Sequence, residues 1–559
     1  MKVYEAVAEA LVAEGVDRIF GLMGDGNMSI WAELVRRGGV DMVSSGHEQG
    51  AVAMADGYGR ATGKVGVATV THGPGLTQTA TSLNVAARNR SSLVLVVGQV
   101  RRGALHGSQR MNQRPFVEAC GAYFADVTTP ENLAAEMANA FYIARVRRMP
   151  VVLNLDVAMQ ERSFDWDFTY RPSAESLPPR PTTPSEAILA ELVDKLEQAE
   201  RPVIIAGVGA MKSGARASLL QLGEQVGALL ATSLQGKGYF AGETYDVGIS
   251  GSFASEPTER LLGDADLVLG VGAEIGYYTA EGGMMFPMAD IARIDIDPVP
   301  GDIPALPGLH ACGDARATVE LLVQRLRERG VAKTGYRNDE TRAILEAPPH
   351  VFPATHDGIE PRALAHAIGA ALPENSLVTC GNCHFWAFPA MYMPLPRGAT
   401  LNFSYQFGCI GQTLPLAIGI GSAYPDRPHV MLEGDGAMLM NIQELFTVQR
   451  FKRNLVVVVW NDCGFGAEVH KLRAHGFDAT LAQWESADFV AIARAFGGDG
   501  ARIESVDEVA GAISHGVARG GLYLIDARVS PSAVSDPYNK LHFGVPNQAP
   551  LLRPATARS

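Results

Sequence analysis

Runs that are apolar at almost every position, each separated by longer amphipathic stretches, recur along the whole chain: VGVATVT, SSLVLVVGQV, PVIIAGVG, ADLVLGVG, ARIDID, HVMLEGD and NLVVVVW. A strand with one solvated face alternates apolar and polar residues. An unbroken apolar run instead fits a parallel strand covered by helices on both faces. The chain therefore reads as α/β, built of doubly wound parallel sheets. Its 559 residues correspond to about three domains at ~100–200 residues each. Two stretches rich in Pro, 168–186 and 333–361, read as linkers and divide it into thirds. The expected domains are 1–167, 185–332 and 362–535, with a tail at 536–559.

Charge and hydropathy exclude several classes of function. Lys and Arg total 47 against 60 Asp and Glu, a formal net charge of −13, which argues against a nucleic-acid groove. Val3, Ala6, Val7, Ala10 and Leu11 fall at helical spacing among Glu5, Glu9 and Glu14. That pattern is an amphipathic helix, not a signal peptide. The run LVVVVW at 455–460 is far short of the ~20 residues of a membrane span. No membrane association is expected, and the cytoplasm is the expected compartment. Six cysteines are too few for a disulfide scaffold in a chain this long. Cys380 and Cys383 have redox-motif spacing without a thioredoxin-like context, so they read as two thiols in a loop.

Chemistry gathers in the last third. The strand HVMLEGD runs into Gly434-Asp435-Gly436, a helical stretch MNIQELFTVQRFKRN follows, and the strand LVVVVW ends at Asn461-Asp462-Cys463-Gly464-Phe465-Gly466. Two carboxylates thus stand across one βαβ unit at the carboxyl edge of the sheet, where open α/β sheets bind ligands. The glycines let a backbone approach closely, and the helix start offers free N–H groups to a phosphate. Two carboxylates with a diphosphate make an oxygen cage suited to Mg²⁺. Gly-Asp-Gly alone is weak evidence, since it recurs at 24–26 and 498–500. Only the triplet at 434–436 is expected to combine a strand before it, a helix after it and a second acidic strand end.

This pair of motifs resembles the binding signature of thiamine-diphosphate (ThDP) enzymes. The order of the parts is similar to the acetolactate synthase/2-oxo acid decarboxylase family: a pyrimidine-binding domain, a Rossmann-like middle domain and a diphosphate-binding domain. The resemblance implies Asp435, Asp462 and the Gly464 carbonyl as Mg²⁺ ligands, with Gly434, Gly436, Ala437 and Phe465 around the cofactor. Many members carry Asn where Asp462 stands. In the N-terminal third, Gly46-His47-Glu48-Gln49-Gly50 leads into AVAMADGYGRATGKVGVATVTHGPG. This segment resembles the one in which a buried glutamate, here Glu48, holds the cofactor's aminopyrimidine and shares a proton with it. Phe407-Gly408-Cys409-Ile410-Gly411-Gln412 matches a third segment. There Ile410 would prop the cofactor into a bent shape and the Gly408 carbonyl would accept from the aminopyrimidine. Asn382 and His384 match a loop that reaches the diphosphate.

The same resemblance implies decarboxylation of a 2-oxo acid, after which the enamine is protonated or ligated to a second carbonyl. The alternative chemistry is C–C lysis of a 2-hydroxyketone or a 2-hydroxyacyl-CoA. Active sites shared within a homodimer or homotetramer are implied as well. Gln113 and His72 are the expected pocket-lining groups, with Asn112 beside them and Asp25 and His106 as candidate proton donors. The middle third carries Gly207, Gly209 and Gly214 after PVIIA. Flavin or an adenine nucleotide is possible there, and a structural role is preferred. The stretch Glu274–Tyr278 lacks the arginine of flavin-binding acetolactate synthases. Ala467–Lys471 also lacks the aromatic pair that helps those enzymes select a second ketoacid.

Overall fold

The computed structural model describes residues 1–101, 103, 107–178, 181–298, 308–347 and 351–539. Its strands form three six-stranded sheets, each wholly parallel. The first holds β1 (Arg18–Gly21), β2 (Asp41–Ser44), β3 (Gly66–Val70), β4 (Leu93–Gln99), β5 (Tyr123–Val127) and β6 (Pro150–Asp156) in the order β2-β1-β3-β4-β6-β5. The second holds β7 (Pro202–Ala206), β8 (Leu229–Thr232), β9 (Asp246–Ile249), β10 (Leu267–Val271), β11 (Asp290–Asp295) and β12 (Leu309–Cys312) in the order β12-β11-β10-β7-β8-β9. The third holds β13 (Leu377–Cys380), β14 (Thr400–Phe403), β15 (His429–Gly434), β16 (Leu455–Asn461), β17 (Asp499–Ile503) and β18 (Leu522–Arg528) in the order β14-β13-β15-β16-β18-β17.

The unbroken apolar runs are the central strands, as two-sided burial requires. Every residue of β3, β6 and β16 is buried. The first and third sheets share one strand order, and in each the order reverses beside the first strand. Those switch points lie between β1 and β3 and between β13 and β15. Ligands of doubly wound sheets bind there, beyond the carboxyl ends of the strands.

Both stretches read as linkers are partly docked. Phe164, Trp166, Phe168 and Tyr170 alternate along an extended segment, so their rings share a face. Phe164 stacks on Trp166 at 4.5 Å, and Phe168 stacks on Tyr170 at 6.3 Å. The Tyr170 hydroxyl and the Ser173 N–H then donate to buried Glu14 at 2.8 and 2.6 Å. Past residue 332, the buried Tyr336 donates to the Leu261 carbonyl at 2.8 Å, and the helix Asp339–Leu345 packs Ile344 and Leu345 on the middle core. Proline marks where regular structure stops, not where packing stops.

The N- and C-terminal domains dock through two helices, Glu48–Thr62 and Thr413–Ala423. Their backbones touch. A methyl group on Gly57 would lie 2.3 Å from the Leu416 carbonyl oxygen, and one on Gly419 would lie 2.0 Å from that of Met54. Gly419→Val is therefore expected to destabilise the protein by about 1–3 kcal/mol, read as a lower denaturant midpoint. Gly263→Ala, with nothing near its added methyl, should shift it by less than ~0.5 kcal/mol.

Candidate active site

Strand β15 delivers Asp435 to the first turn of the helix Asp435–Met440, and β16 ends one residue before Asp462. Asp435 is 1% exposed. Its Oδ1 accepts from the Gly436 N–H at 2.8 Å, while its buried Oδ2 has no partner among the described residues. The Gly464 backbone N–H acts on both carboxylates, so Asp435, Asp462 and Gly464 are brought together. Burial raises the pKa of both acids, and for Asp462 the charge of Asp435 adds to it. Two acids side by side, Asp435 buried with an orphaned oxygen and Asp462 half-buried, fit a hard cation. Among the described residues no group of three His, Cys, Asp or Glu side chains could hold a metal. An ion here would complete its shell from a carbonyl, water or a bound anion, which is the habit of Mg²⁺.

The glycines around the pair serve close approach. A methyl on Gly436 would fall 2.6 Å from the Phe465 ring, which meets Trp484 edge-on at 4.7 Å. Behind the loop, Asn461 Nδ2 donates to Asp526 Oδ1 at 2.6 Å and to Ser486 Oγ at 2.8 Å. The helical stretch expected over 440–454 is helical only over Glu444–Arg450, and a separate short helix, Asp435–Met440, precedes it with a break at Asn441. Asn441 explains the break by turning its amide to the Gly411 carbonyl. The buried Ala437 stays in the first segment.

Glu48 opens its helix, and the preceding His47 caps it by accepting from the Gln49 N–H at 3.1 Å. The chain just before Glu48 is held by Glu444, which sequence reasoning overlooked. Both Glu444 oxygens accept from the Gly46 N–H at 3.1 and 3.2 Å, and Thr447 donates to one of them at 2.6 Å. No local sequence pattern marks it, because the backbone it holds lies 398 residues away. Glu48 itself is half-buried, not enclosed as expected, and a methyl on Gly75 would lie 3.5 Å from its Oε1.

The third segment lies at the switch point. Asn382 Nδ2 reaches the Cys409 carbonyl at 3.4 Å, tying the loop after β13 to the loop that carries Ile410. Phe407 and Gly408 both have φ of +68°. Gly408 is exposed and Ile410 half-buried. His384 is buried, but its Nε2 accepts from the Ser535 N–H at 3.0 Å, so only Nδ1 is left for a ligand. All six cysteines are free, Cys380 and Cys383 included.

Burial holds His384 and His429 at about 3, so both are neutral in the fold. Unfolded imidazole gains its proton near 6.5. Stability present above that pH is therefore lost as pH falls toward 3. His429→Gln, which keeps an amide for the 2.9 Å contact with Thr379 Oγ1, should flatten the decline of Tm between pH 6.5 and 4.5.

The pocket candidates divide. Gly-Asp-Gly at 24–26 does have a strand before it and a helix, Met28–Arg37, after it; what it lacks is the second acidic strand end. Gly26 lets His72 approach, a methyl there falling 2.8 Å from Nδ1. His72 is buried, that nitrogen has no partner among the described residues, and burial lowers its pKa against the opposing charge of the exposed Asp25. Gln113 is a buttress, not an open lining group: its amide reaches the Gly98 carbonyl at 3.1 Å and Asn154 Oδ1 at 2.7 Å, and accepts from the Gly73 N–H at 3.1 Å. Asn112 beside it is exposed. His106 lies outside the described residues. The third triplet, at 498–500, runs into edge strand β17. In the middle domain Gly207 and Gly209 press on Gly272, where added methyls would lie 2.3 and 2.7 Å from its backbone. Close approach of two βα loops accounts for that glycine pair.

Comparison with known proteins agrees with this geometry. Residues 1–120 match the model of the thiamine pyrophosphate enzyme N-terminal TPP binding domain, 189–322 the central domain and 379–527 the C-terminal TPP binding domain. A probable 2-ketoarginine decarboxylase of Pseudomonas aeruginosa is 30% identical, over 94% of this chain and 93% of its own. The acetolactate synthase large subunit of Haemophilus influenzae is 26% identical over 98% of each chain. A sulfoacetaldehyde acetyltransferase of Castellaniella defragrans is 26% identical over 92% and 90%. With three parallel α/β domains in the matching order and a carboxylate pair at the third sheet's edge, the chain belongs to the thiamine pyrophosphate enzymes, as a ThDP-dependent enzyme of the decarboxylase and carboligase type.

Proposed function

We propose that the protein is a Mg²⁺-dependent ThDP enzyme that decarboxylates a 2-oxo acid and then protonates the product or joins it to a second carbonyl. The observation that carries this reading is the pairing of buried Asp435 with half-buried Asp462 at adjoining strand ends, Asp435 Oδ2 having no partner among the described residues. When bound, ThDP supplies the nucleophilic carbon and the electron sink that let CO₂ leave. Asp435, Asp462 and the Gly464 carbonyl would hold the metal, which would supply positive charge to a diphosphate bound beside them. Gly434, Gly436 and Ala437 keep the backbone close, and Asn382 and His384 border the same end. Glu48 would hold the proton at the cofactor's ring nitrogen, Gly408 would accept from its amino group, and Ile410 would set its bend. His72 and Asp25 are the groups best placed to move a proton at the substrate end.

We place the working site between two copies of the chain, as a homodimer or homotetramer. Half-exposed Glu48 needs a cover to act as a buried carboxyl. Phe407, Leu439, Met440 and Phe446, all 41–55% exposed, flank the cofactor residues as an apolar rim. Substrate is a small 2-oxo acid. A panel spanning pyruvate, benzoylformate and a guanidino-bearing 2-oxo acid, given ThDP and Mg²⁺, should release CO₂ in step with an aldehyde or hydroxyketone. Cleavage of 2-hydroxyacyl-CoA without CO₂, and no turnover of any 2-oxo acid, would overturn the proposal.

A further inference from the structure

Arg528 is the last residue of β18 and pairs in register with Asn461 at the end of β16, which sets its side chain beside the turn that carries Asp462. Its Nη2 donates to Cys463 Sγ at 2.8 Å. Its Nη1 is buried and has no partner among the described residues. Cys463 needs such a hold. It lies between Asp462 and Gly464 with φ of +60°, a left-handed conformation that a residue with a side chain adopts only under constraint. The rest of Cys463 is pinned too: its N–H donates to Asn461 Oδ1 at 3.3 Å, and its carbonyl accepts from the Trp484 N–H at 3.0 Å. The guanidinium charge also acts on Asp435. A planar cation that cannot be deprotonated therefore acts on Asp435, one of two carboxylates that repel each other, with one donor free of any partner among the described residues.

We propose that Arg528 is a positioning residue for the metal–diphosphate loop. It holds Cys463 in its left-handed turn, so that Asp462 and Gly464 face Asp435, and it supplies the positive charge that lets two carboxylates stand beside a diphosphate. The inference rests on the ThDP–Mg²⁺ reading above, and it concerns the second charged ligand, Asp462, in particular.

The test is a double-mutant cycle. Arg528→Gln, Asp462→Asn and the double variant are reconstituted with ThDP, and the Mg²⁺ concentration for half-saturation is read from quenching of tryptophan fluorescence. In the wild-type background Arg528→Gln should raise that concentration about tenfold or more, the usual cost of losing a partner behind a ligand. In the Asp462→Asn background, where the extra charge is gone, the rise should be less than about threefold. Arg528→Lys, which keeps the charge, should stay nearer wild type than Arg528→Gln, and it serves as the readout if the glutamine variant does not fold. Unchanged Mg²⁺ affinity in Arg528→Gln, the same cost in both backgrounds, or a lysine variant no better than glutamine would overturn the inference. Wild type that takes up no ThDP at all would overturn the functional reading instead.

Discussion

Glu48→Gln is expected to lower kcat by roughly 10²–10⁴-fold, the range for loss of a positioned acid–base group, while ThDP affinity changes little. The amide fills the same volume and can still meet a ring nitrogen, but it cannot take and return a proton. The local structure should tolerate the change. Glu48 is half-buried and opens its helix, and that helix start is held by His47 and Glu444, not by Glu48. The split between kcat and binding is therefore the informative readout, with Tm of the variant within about two degrees of wild type. Glu48→Gln with full turnover would remove Glu48 from the chemistry.

Asp435→Asn should act in opposite directions on binding and on stability. Removing a carboxylate that faces the ion is expected to weaken Mg²⁺-dependent ThDP binding by about 100-fold or more. The cofactor-free protein should be no less stable, and its Tm should rise. Asp435 is buried, its pKa is raised by that burial, and it raises the pKa of Asp462 in turn. An amide of the same shape keeps an oxygen for the Gly436 N–H and removes the repulsion. Calorimetric titration with ThDP, alongside a thermal scan of the cofactor-free protein, reads both effects. A fall in Tm with unchanged binding would make Asp435 a structural residue.

The architecture was legible wherever it depends on two-sided burial. Runs such as LVVVVW leave no solvated face, so they dictate parallel strands and covering helices, and β16 is buried at every position. The cofactor motifs were legible because metal and diphosphate chemistry needs carboxylates and glycines at strand ends. Roles set by tertiary partners were not. Gln113 looks like a free amide beside the reacting carbon until Gly73, Gly98 and Asn154 take up its hydrogen bonds. Glu444 and Arg528 lie 398 and 65 residues from the groups they hold, and neither carries a local pattern. The break at Asn441 is equally non-local, since the competing acceptor is the Gly411 carbonyl. Propensity and periodicity describe a residue's neighbours along the chain, and these four residues act across it.

Asp435, Asp462 and Glu48 belonging to one ThDP–Mg²⁺ site has a direct consequence for binding, read by titrating ThDP into cofactor-free protein with Mg²⁺ and again with the metal chelated. Saturable binding of one ThDP per chain is expected with Mg²⁺, and at least ~100-fold weaker binding without it. Equal affinity under both conditions, or no binding under either, would contradict it.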